Sequence, residues 1–546
     1  MNNHSAKTPS LLWKRVLKLS ILTLCCLTIF IFSTFQSTRT VAATTKCGGG
    51  VGKNPTITPF VLEKFEAIVN AAMATYDVPG VAIAIVAGDK IVYAKGFGWR
   101  NLENHEPVTP DTRFPVYSMT KAMTSAMIAT LVDEGKLHWN QRVVEIWPDF
   151  TLPTTELTNT VRVRHLMQMN TGLGVDFNLF YDTRLNAISA QEPLDSLVDF
   201  PIWAGLNEEF YYNDGVYASA GYMGALAAGA SYGDLFNAYE ELMQERIFNP
   251  IGMESAILSL DLPAIGGDYA TGYAFNLVTG VFESVHNPNL TGDAPAGLAS
   301  VNVTDMARFL IMQLNQGIAP NGTRVVSARH LVKTRKPNIK INDPMFYLPY
   351  PLAQANSLHY GMGWISVEQP NGVQVIGHPG GFEGFTSDMA FIPEADVGIV
   401  TLTNLNFFYG VLSSSYFIGV VRDSLFELLY DLEPTVAKQR AEQHQLAMAE
   451  AAIPRDTIQV TFDPDTVAPY LGHYEKNWQL ELRSDNTLWL VLHNIYEYQL
   501  IFLPDGTYRI SNNSYLGNPV SFSTSDEGII LMSITTFGTD TVAKID

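Results

Sequence analysis

The sequence predicts an α+β fold: an antiparallel sheet flanked by helices, with an inserted mainly helical domain and a small all-β domain at the C-terminus. Three observations predict it. Strand patterns occur in two groups that lie far apart in the 546-residue chain, separated by a long stretch of helical patterns. Helical patterns also precede the first group and follow the second. Near the C-terminus the pattern changes to short alternating strands with turns.

The first strand group follows an N-terminal helix. Thr58 and Pro59 are residues that favour the cap and the first position of a helix, and apolar residues then recur at helical spacing as far as Met73. Residues 81–86 and 91–94 are strand-like and are separated by a short turn. They predict the beginning of an antiparallel sheet.

The second strand group lies much later in the chain. A helix over residues 118–134 is apolar nearly all round, which is typical of a buried helix. Residues 140–340 contain many helical patterns and form the insertion. Strand patterns return between residues 360 and 402, and a last helix covers residues 411–430. We therefore expect the two strand groups to complete one sheet, covered by the terminal helices.

Five segments are predicted along the chain. They are a signal peptide over residues 1–45, a flexible leader over 46–56, a main domain over 57–432, a polar linker over 433–456 and the small β domain over 457–546.

The composition excludes some function classes. Hydrophobic residues make up 47% and charged residues 16%, as in a globular protein. The formal net charge is -20, and binding to nucleic acid would need a basic face. We expect no nucleic-acid partner, and the sequence leaves the oligomeric state open.

The N-terminus has the pattern of an export signal. Lys14, Arg15 and Lys18 precede an apolar run over residues 19–32, and small residues at 41–43 offer a cleavage site. The alternative is an uncleaved membrane anchor, but the run is short compared with the ~20 residues that span a bilayer. An extracytoplasmic location, periplasmic or secreted, is expected.

No metal or cofactor is expected. The cysteines are Cys25, Cys26 and Cys47, and only Cys47 would survive signal cleavage, so no internal disulfide or cysteine metal site could form. The 11 histidines include no His-Glu-x-x-His spacing. A phosphate-binding glycine loop and a Gly-x-Ser-x-Gly elbow are also missing from the sequence.

Ser118 and Lys121 are the first candidate catalytic pair. Residues three apart share a helix face, so their side chains can meet. A serine hydroxyl needs a base to become a nucleophile, and a lysine serves as that base when burial disfavours its charged form. The positive end of a helix also favours a developing oxyanion.

Chance is the alternative explanation for this pair. With 16 lysines, about one Ser-x-x-Lys is expected at ordinary serine frequency, and the chain has one. A helix start with a surface lysine would look the same. The position favours function, because a lysine inside so apolar a helix needs an explanation.

Two later segments offer further polar groups. Tyr211, Tyr212 and Asn213 lie in a tyrosine-rich stretch, where a tyrosine can relay a proton and an amide can bind a carbonyl. His378 is followed by Pro379 and two glycines, which permit close approach of a ligand to the backbone. Alone, each segment is equally well explained as an ordinary loop or a structural histidine.

Together the three segments resemble those of the serine β-lactamase and penicillin-binding-protein superfamily, whose Ser-x-x-Lys, Tyr-x-Asn and Lys/His-x-Gly boxes converge on one cleft. The chain is most similar to its class C β-lactamase-related group, with D-aminopeptidases, DD-peptidases and esterases. Further similar segments are residues 78–82, 165–173, 297–307, 360–364 and 377–382. Residues 470–474 resemble the small β domains appended to such hydrolases.

The resemblance implies roles for particular residues. Ser118 would be the acylated nucleophile and Lys121 the base, while Tyr211 would relay the proton and Asn213 would orient the substrate. The backbone N–H groups of Ser118 and Gly381 would form the oxyanion hole. His378 and Gly380 would line the substrate side.

Departures from the pattern bear on the substrate. His378 and Pro379 stand where β-lactam-degrading members usually have Lys and Thr, which hold the antibiotic's carboxylate. Efficient β-lactamase activity is therefore not expected. Tyr212 is bulkier than the usual small middle residue of the second box, so it either narrows the cleft or points away.

Two functions remain open, because a third, that of a purely structural exported protein, would leave a buried Lys121 unexplained. The first is an exported serine hydrolase that cleaves an ester or amide through a Ser118 acyl-enzyme: a carboxylesterase, a D-aminopeptidase or DD-peptidase, or a weak β-lactamase. Its substrate would be a small molecule or a peptide, including one that contains a D-amino acid. The second is a catalytically weak penicillin-binding or sensor protein of the same fold.

Overall fold

The computed structural model describes most of the chain after the N-terminal segment. The described residues are 56–174, 189–285, 287, 291–343, 346, 350, 357–369, 372–406, 413–451, 455–492, 496–511, 518–535 and 539–545. The predicted signal peptide and all but the last residue of the predicted leader lie outside these residues.

The main domain contains a long antiparallel sheet. Its strands are β1 (Gly80–Ala87), β2 (Lys90–Asn101), β3 (Glu106–Pro107), β9 (Ile339–Lys340), β10 (His359–Tyr360), β11 (Ile365–Glu368), β12 (Gln374–Phe382), β13 (Phe385–Ile392) and β14 (Val397–Thr403). Smaller sheets contain β4 (Arg113–Pro115), β5 (Ile257–Leu258), β6 (Gly272–Phe275), β7 (Phe282–Val285) and β8 (Ala299–Asn302).

The helices of this part of the chain surround the sheet and build the insertion. They are α1 (Pro59–Tyr76), α2 (Thr120–Asp133), α3 (Thr155–Thr160), α4 (Val163–Gln168), α5 (Glu192–Ser196), α6 (Asp214–Ala228), α7 (Leu235–Met243), α8 (Asn249–Ile251), α9 (Leu262–Ile265), α10 (Ala294–Gly297), α11 (Val303–Leu314), α12 (Ala328–Thr334), α13 (Ser413–Leu429) and α14 (Val436–Ala451).

The strand order confirms the predicted α+β architecture. The order in the large sheet is β3-β2-β1-β14-β13-β12-β11-β10-β9, so the early and late strand groups meet where β1 pairs with β14. Both strands are buried on both faces, which explains their continuous apolar sequence.

Helices cover both faces of this sheet. The terminal helices α1 and α13 contact each other through Tyr76, whose ring centroid lies 6.4 Å from those of Tyr416 and Phe417. On β14, a Cβ placed on Gly398 would lie 3.0 Å from Leu310 of α11, so this helix packs closely on the sheet. As predicted, the side chain of Thr58 caps α1 by accepting a hydrogen bond from the Val61 N–H.

The structure moves the start of one predicted helix and shows a helix within the predicted linker. The helix predicted from residue 118 begins as a 3₁₀ turn over Tyr117–Met119, and regular α2 starts at Thr120. The linker contains helix α14, which packs against the main domain: the ring of His444 lies 4.8 Å from that of Tyr76. The Glu427 carboxylate accepts hydrogen bonds from Thr435 just before this helix.

The C-terminal sheet runs in sequence order. It follows a short helix, α15 (Pro464–Val467), and comprises β15 (Gly472–Tyr474), β16 (Trp478–Leu482), β17 (Leu488–Leu492), β18 (Tyr496–Phe502), β19 (Tyr508–Ile510), β20 (Pro519–Thr524), β21 (Ile530–Thr535) and β22 (Thr539–Ala543). The Ile545 N–H donates to the His473 carbonyl at 2.9 Å, and Tyr474 forms an antiparallel β-bridge with Lys544. These contacts close the sheet into a barrel, which removes its free edges.

Candidate active site

Ser118 lies in the tight turn between β4 and α2. The residue before it, Tyr117, has a φ of 44°, in the left-handed region that a bulky residue rarely adopts. Its hydroxyl donates to Asn287 Oδ1 at 2.6 Å and lies 3.3 Å from the Glu383 carbonyl oxygen. These buried contacts stabilise the strained backbone, and backbone strain of this kind clusters at functional sites.

Lys121 occupies the first turn of α2 and is fully buried. Its Nζ donates to Ser118 Oγ at 2.9 Å and to the carbonyl oxygen of Ala296 at 2.9 Å. The hydroxyl of Tyr217 in turn donates to the Lys121 carbonyl at 2.7 Å. The structure therefore brings the predicted serine and lysine into direct contact and holds the lysine from two other helices.

The tyrosine that reaches Ser118 is Tyr212. Its hydroxyl donates to Ser118 Oγ at 2.7 Å. The hydroxyl of Tyr211 instead donates to the Glu209 carboxylate at 2.7 Å, and its ring packs edge-on against Trp203 with centroids 5.3 Å apart. Neighbouring side chains of an extended segment point to opposite sides. The prediction that Tyr211 acts at Ser118 is therefore wrong, and Tyr212 does not point away.

Asn213 has a structural place. It is the N-cap of α6: its Oδ1 accepts from the Val216 N–H at 3.0 Å, and its Nδ2 donates to the Gly174 carbonyl at 3.3 Å. The side chain is buried, with 1% of its surface exposed. Because its amide is occupied by these contacts, the prediction that Asn213 orients the substrate is corrected.

Asp214 is a residue of the site that the sequence reasoning missed. Its Oδ1 lies 2.5 Å from Lys121 Nζ, and both side chains are buried. The second segment thus reads Tyr212-Asn213-Asp214, one residue later than expected. The signal available in the sequence was that Asp214, like Asn213, stands two residues after a tyrosine.

His378 lies in the wall of the site, with 1% of its surface exposed. Its Nδ1 is 2.6 Å from the Pro379 carbonyl, which can only accept, so Nδ1 carries the proton and Nε2 accepts from the Tyr360 hydroxyl at 3.1 Å. Burial, helped by the charge of Lys121, lowers the pKa of His378 to about 3. The histidine is therefore neutral and supports the wall, which corrects the prediction that it lines the substrate side.

Aromatic rings surround Tyr212. Ring centroids lie 5.2 Å apart for Tyr212 and Phe346, 5.7 Å for Phe210 and Phe346, and 5.0 Å for Phe210 and Tyr360. These contacts fix the orientation of the Tyr212 ring and make this side of the site apolar.

Strand β12 passes very close to the nucleophile at Gly380. A Cβ placed there would lie 2.1 Å from the Val116 carbonyl oxygen, 2.7 Å from Ser387 Oγ and 3.0 Å from the Ser118 nitrogen. A side chain at position 380 would therefore displace β12 away from the turn that holds Ser118. Gly381, the next residue, is exposed.

Gly380→Ala is therefore expected to lower kcat/KM for a neutral chromogenic ester by about 100-fold, because small misplacements of reacting groups have effects of this size. Gly215→Ala in α6 is the matched control, since a Cβ there meets nothing closer than 3.5 Å. Thermal unfolding of both variants would show whether the fold is retained. Equal activity of the two folded variants would contradict the steric argument.

The chain is similar in sequence to several known proteins. The sequence profile of the Beta-lactamase family matches residues 65–411. An unguisins hydrolase from Aspergillus campestris is 27% identical over 448 residues, which cover 78% of this chain and 78% of that protein. Penicillin-binding protein 4 from Amycolatopsis lactamdurans is 27% identical over 71% of this chain and 95% of its own length.

A bacterial enzyme and a solved structure are also similar. A beta-lactamase from Escherichia coli is 24% identical over 60% of this chain and 85% of its own length. The octameric penicillin-binding protein homologue from Pyrococcus abyssi matches with a TM-score of 0.59 and 21% identity, over 88% of this chain and all of that one. At that identity, the second match supports the fold alone.

Proposed function

The chain belongs to the beta-lactamase family, and we propose that it hydrolyses an ester or amide bond through an acyl-enzyme on Ser118. One observation carries the proposal: Ser118 Oγ lies within hydrogen-bond distance of both Lys121 Nζ and the Tyr212 hydroxyl. A weak nucleophile with a base on one side and a proton donor on the other is the arrangement that acyl transfer requires.

Acylation begins when Ser118 Oγ attacks the substrate carbonyl carbon. The hydroxyl proton passes to the neutral amine of Lys121, and the carbonyl electrons move onto oxygen. The backbone N–H groups of Ser118 and Gly381 stabilise this oxyanion. Tyr212 then gives its proton to the leaving group and recovers one from the Lys121 ammonium. Water releases the acyl group by the reverse sequence of proton transfers.

The third segment favours substrates without a carboxylate next to the scissile bond. His378 is neutral, and Pro379 offers neither a hydroxyl nor a charge. A buried carboxylate without a cationic partner is costly. The similar proteins include a hydrolase of unguisins and a beta-lactamase. We assign neutral esters and amides, including peptides with D-amino acids, and only slow β-lactam turnover.

The proposed location is outside the cytoplasm. It rests on the basic and apolar N-terminal pattern, which lies outside the described residues. Within the described part of the chain, no helix has the length and apolarity that crossing a membrane requires.

Labelling by a fluorophosphonate probe tests this function. We expect stoichiometric labelling that mass spectrometry maps to Ser118, together with turnover of p-nitrophenyl esters or D-amino-acid amides that exceeds turnover of a chromogenic cephalosporin. Labelling without turnover would favour the penicillin-binding or sensor alternative. No labelling of folded protein would exclude a Ser118 nucleophile, and fast cephalosporin turnover would overturn the assigned substrate preference.

A further inference from the structure

Asp214 stands next to the proposed base. Its Oδ1 is 2.5 Å from Lys121 Nζ, and the exposed fractions of the two side chains are 4% and 0%. Asp214 is the first residue of α6, after the N-cap Asn213. The positive end of a helix favours a negative charge there. Fold and sequence therefore place a buried carboxylate against the buried lysine.

Among the residues that the structure describes, Lys121 also faces uncharged groups from several elements. They include the hydroxyl of Ser118 from the turn, the carbonyl of Ala296 from α10, the rings of Tyr212 and Tyr217, and His378 of β12. Burial raises the pKa of Tyr217 well above its usual value, and burial, helped by the neighbouring Tyr212 and Tyr217 hydroxyls, does the same for the pKa of Tyr360 behind His378. Both tyrosines are therefore neutral.

We propose that Asp214 is the charge partner of Lys121 and sets the pH range in which that lysine can act as the base. This inference rests on the proposed function. A carboxylate at this distance stabilises the ammonium form, so the free amine is reached only at a more alkaline pH. Asp214 touches no substrate atom in this role and is a positioning residue.

The same contact assists the reaction once the amine is free. During attack the proton leaves Ser118 Oγ and arrives on Lys121 Nζ, so a positive charge develops beside the Asp214 carboxylate. The ion pair is stronger in the transition state than before proton transfer, which is the condition for catalysis. Asp214 therefore makes Lys121 a stronger base. It also lowers activity at low pH, because more of the lysine is then in the ammonium form.

The test compares Asp214→Asn with Asp214→Glu in the full chain. The pH dependence of kcat/KM would be measured with an ester that does not ionise. For Asp214→Asn we expect the acid limb to move by at least about one unit to lower pH. We also expect the plateau value of kcat/KM in Asp214→Asn to fall by about tenfold or more, because a weaker base accepts the serine proton less readily. Asp214→Glu keeps the charge and should keep the acid limb near that of the wild type.

An acid limb that stays in place in folded Asp214→Asn, or that moves equally in Asp214→Glu, would overturn the inference. Inactivation by a fluorophosphonate provides a second measurement. The pH at which its rate falls on the acid side should move to lower pH in Asp214→Asn and stay near the wild-type value in Asp214→Glu.

The two proposals fail in different ways. Turnover and labelling that persist in Ser118→Ala would remove the proposed function, whatever Asp214→Asn does. An inactive Ser118→Ala with an unmoved acid limb in Asp214→Asn would remove the role of Asp214 alone.

Discussion

Ser118→Ala is expected to lower kcat/KM for a neutral ester by about 10⁴- to 10⁶-fold and to abolish fluorophosphonate labelling, because no other atom replaces the attacking oxygen. The measurement is steady-state hydrolysis of a p-nitrophenyl ester by purified full-length protein. Since the side chain only loses an oxygen, the fold should survive, and a thermal unfolding curve close to that of the wild type would confirm this.

Ser219→Ala is the matched control for this substitution. Ser219 is buried in α6, and its hydroxyl donates to the carbonyl of Gly215, four residues earlier in the same helix, at 2.8 Å. Its loss should leave kcat/KM within a few-fold of the wild type. Substantial turnover by Ser118→Ala would contradict the covalent mechanism.

Tyr212→Phe is expected to lower kcat/KM by about 10²- to 10⁴-fold, the range for loss of a positioned proton donor. The ring would keep its contact with Phe346, so the change removes the hydroxyl that donates to Ser118 and little else. The same ester assay measures it. An amide with a poor leaving group should be affected more than an activated ester, because its departure depends on protonation.

Tyr211→Phe provides an unusually close control, since the two tyrosines are neighbours. Among the described contacts, the Tyr211 hydroxyl donates to the carboxylate of Glu209, an exposed residue away from Ser118, so Tyr211→Phe should retain activity within a few-fold of the wild type. If Tyr211→Phe were the inactive variant and Tyr212→Phe the active one, the assignment of the tyrosine would be reversed.

Local patterns predicted several of the longer helices and strands. The cap at Thr58 and the apolar spacing after it placed α1, and the strand patterns at residues 81–86 and 385–392 match β1 and β13. These features depend on neighbours in the chain, so the sequence displays them directly. The sequence also predicted that the two strand groups complete one sheet, and the structure shows that β1 and β14 are the strands that join them.

The second segment of the site was predicted one residue out of register. Tyr211 and Asn213 fit the expected spacing, but Tyr212 and Asp214 fit it equally well. Which pair faces Ser118 depends on the side from which the loop enters α6. Asn213 is the N-cap of α6, and its neighbours Tyr212 and Asp214 therefore point into the site.

The fold class, the family resemblance and the contact between Ser118 and Lys121 follow from the amino-acid sequence, because i,i+3 geometry and apolar periodicity are properties of short stretches of chain. Three features of the site require the folded chain: Tyr212 faces the serine, Asp214 pairs with the lysine, and His378 is a neutral part of the wall. Those outcomes depend on burial and on contacts between residues about 90 to 260 positions apart, which no local pattern encodes.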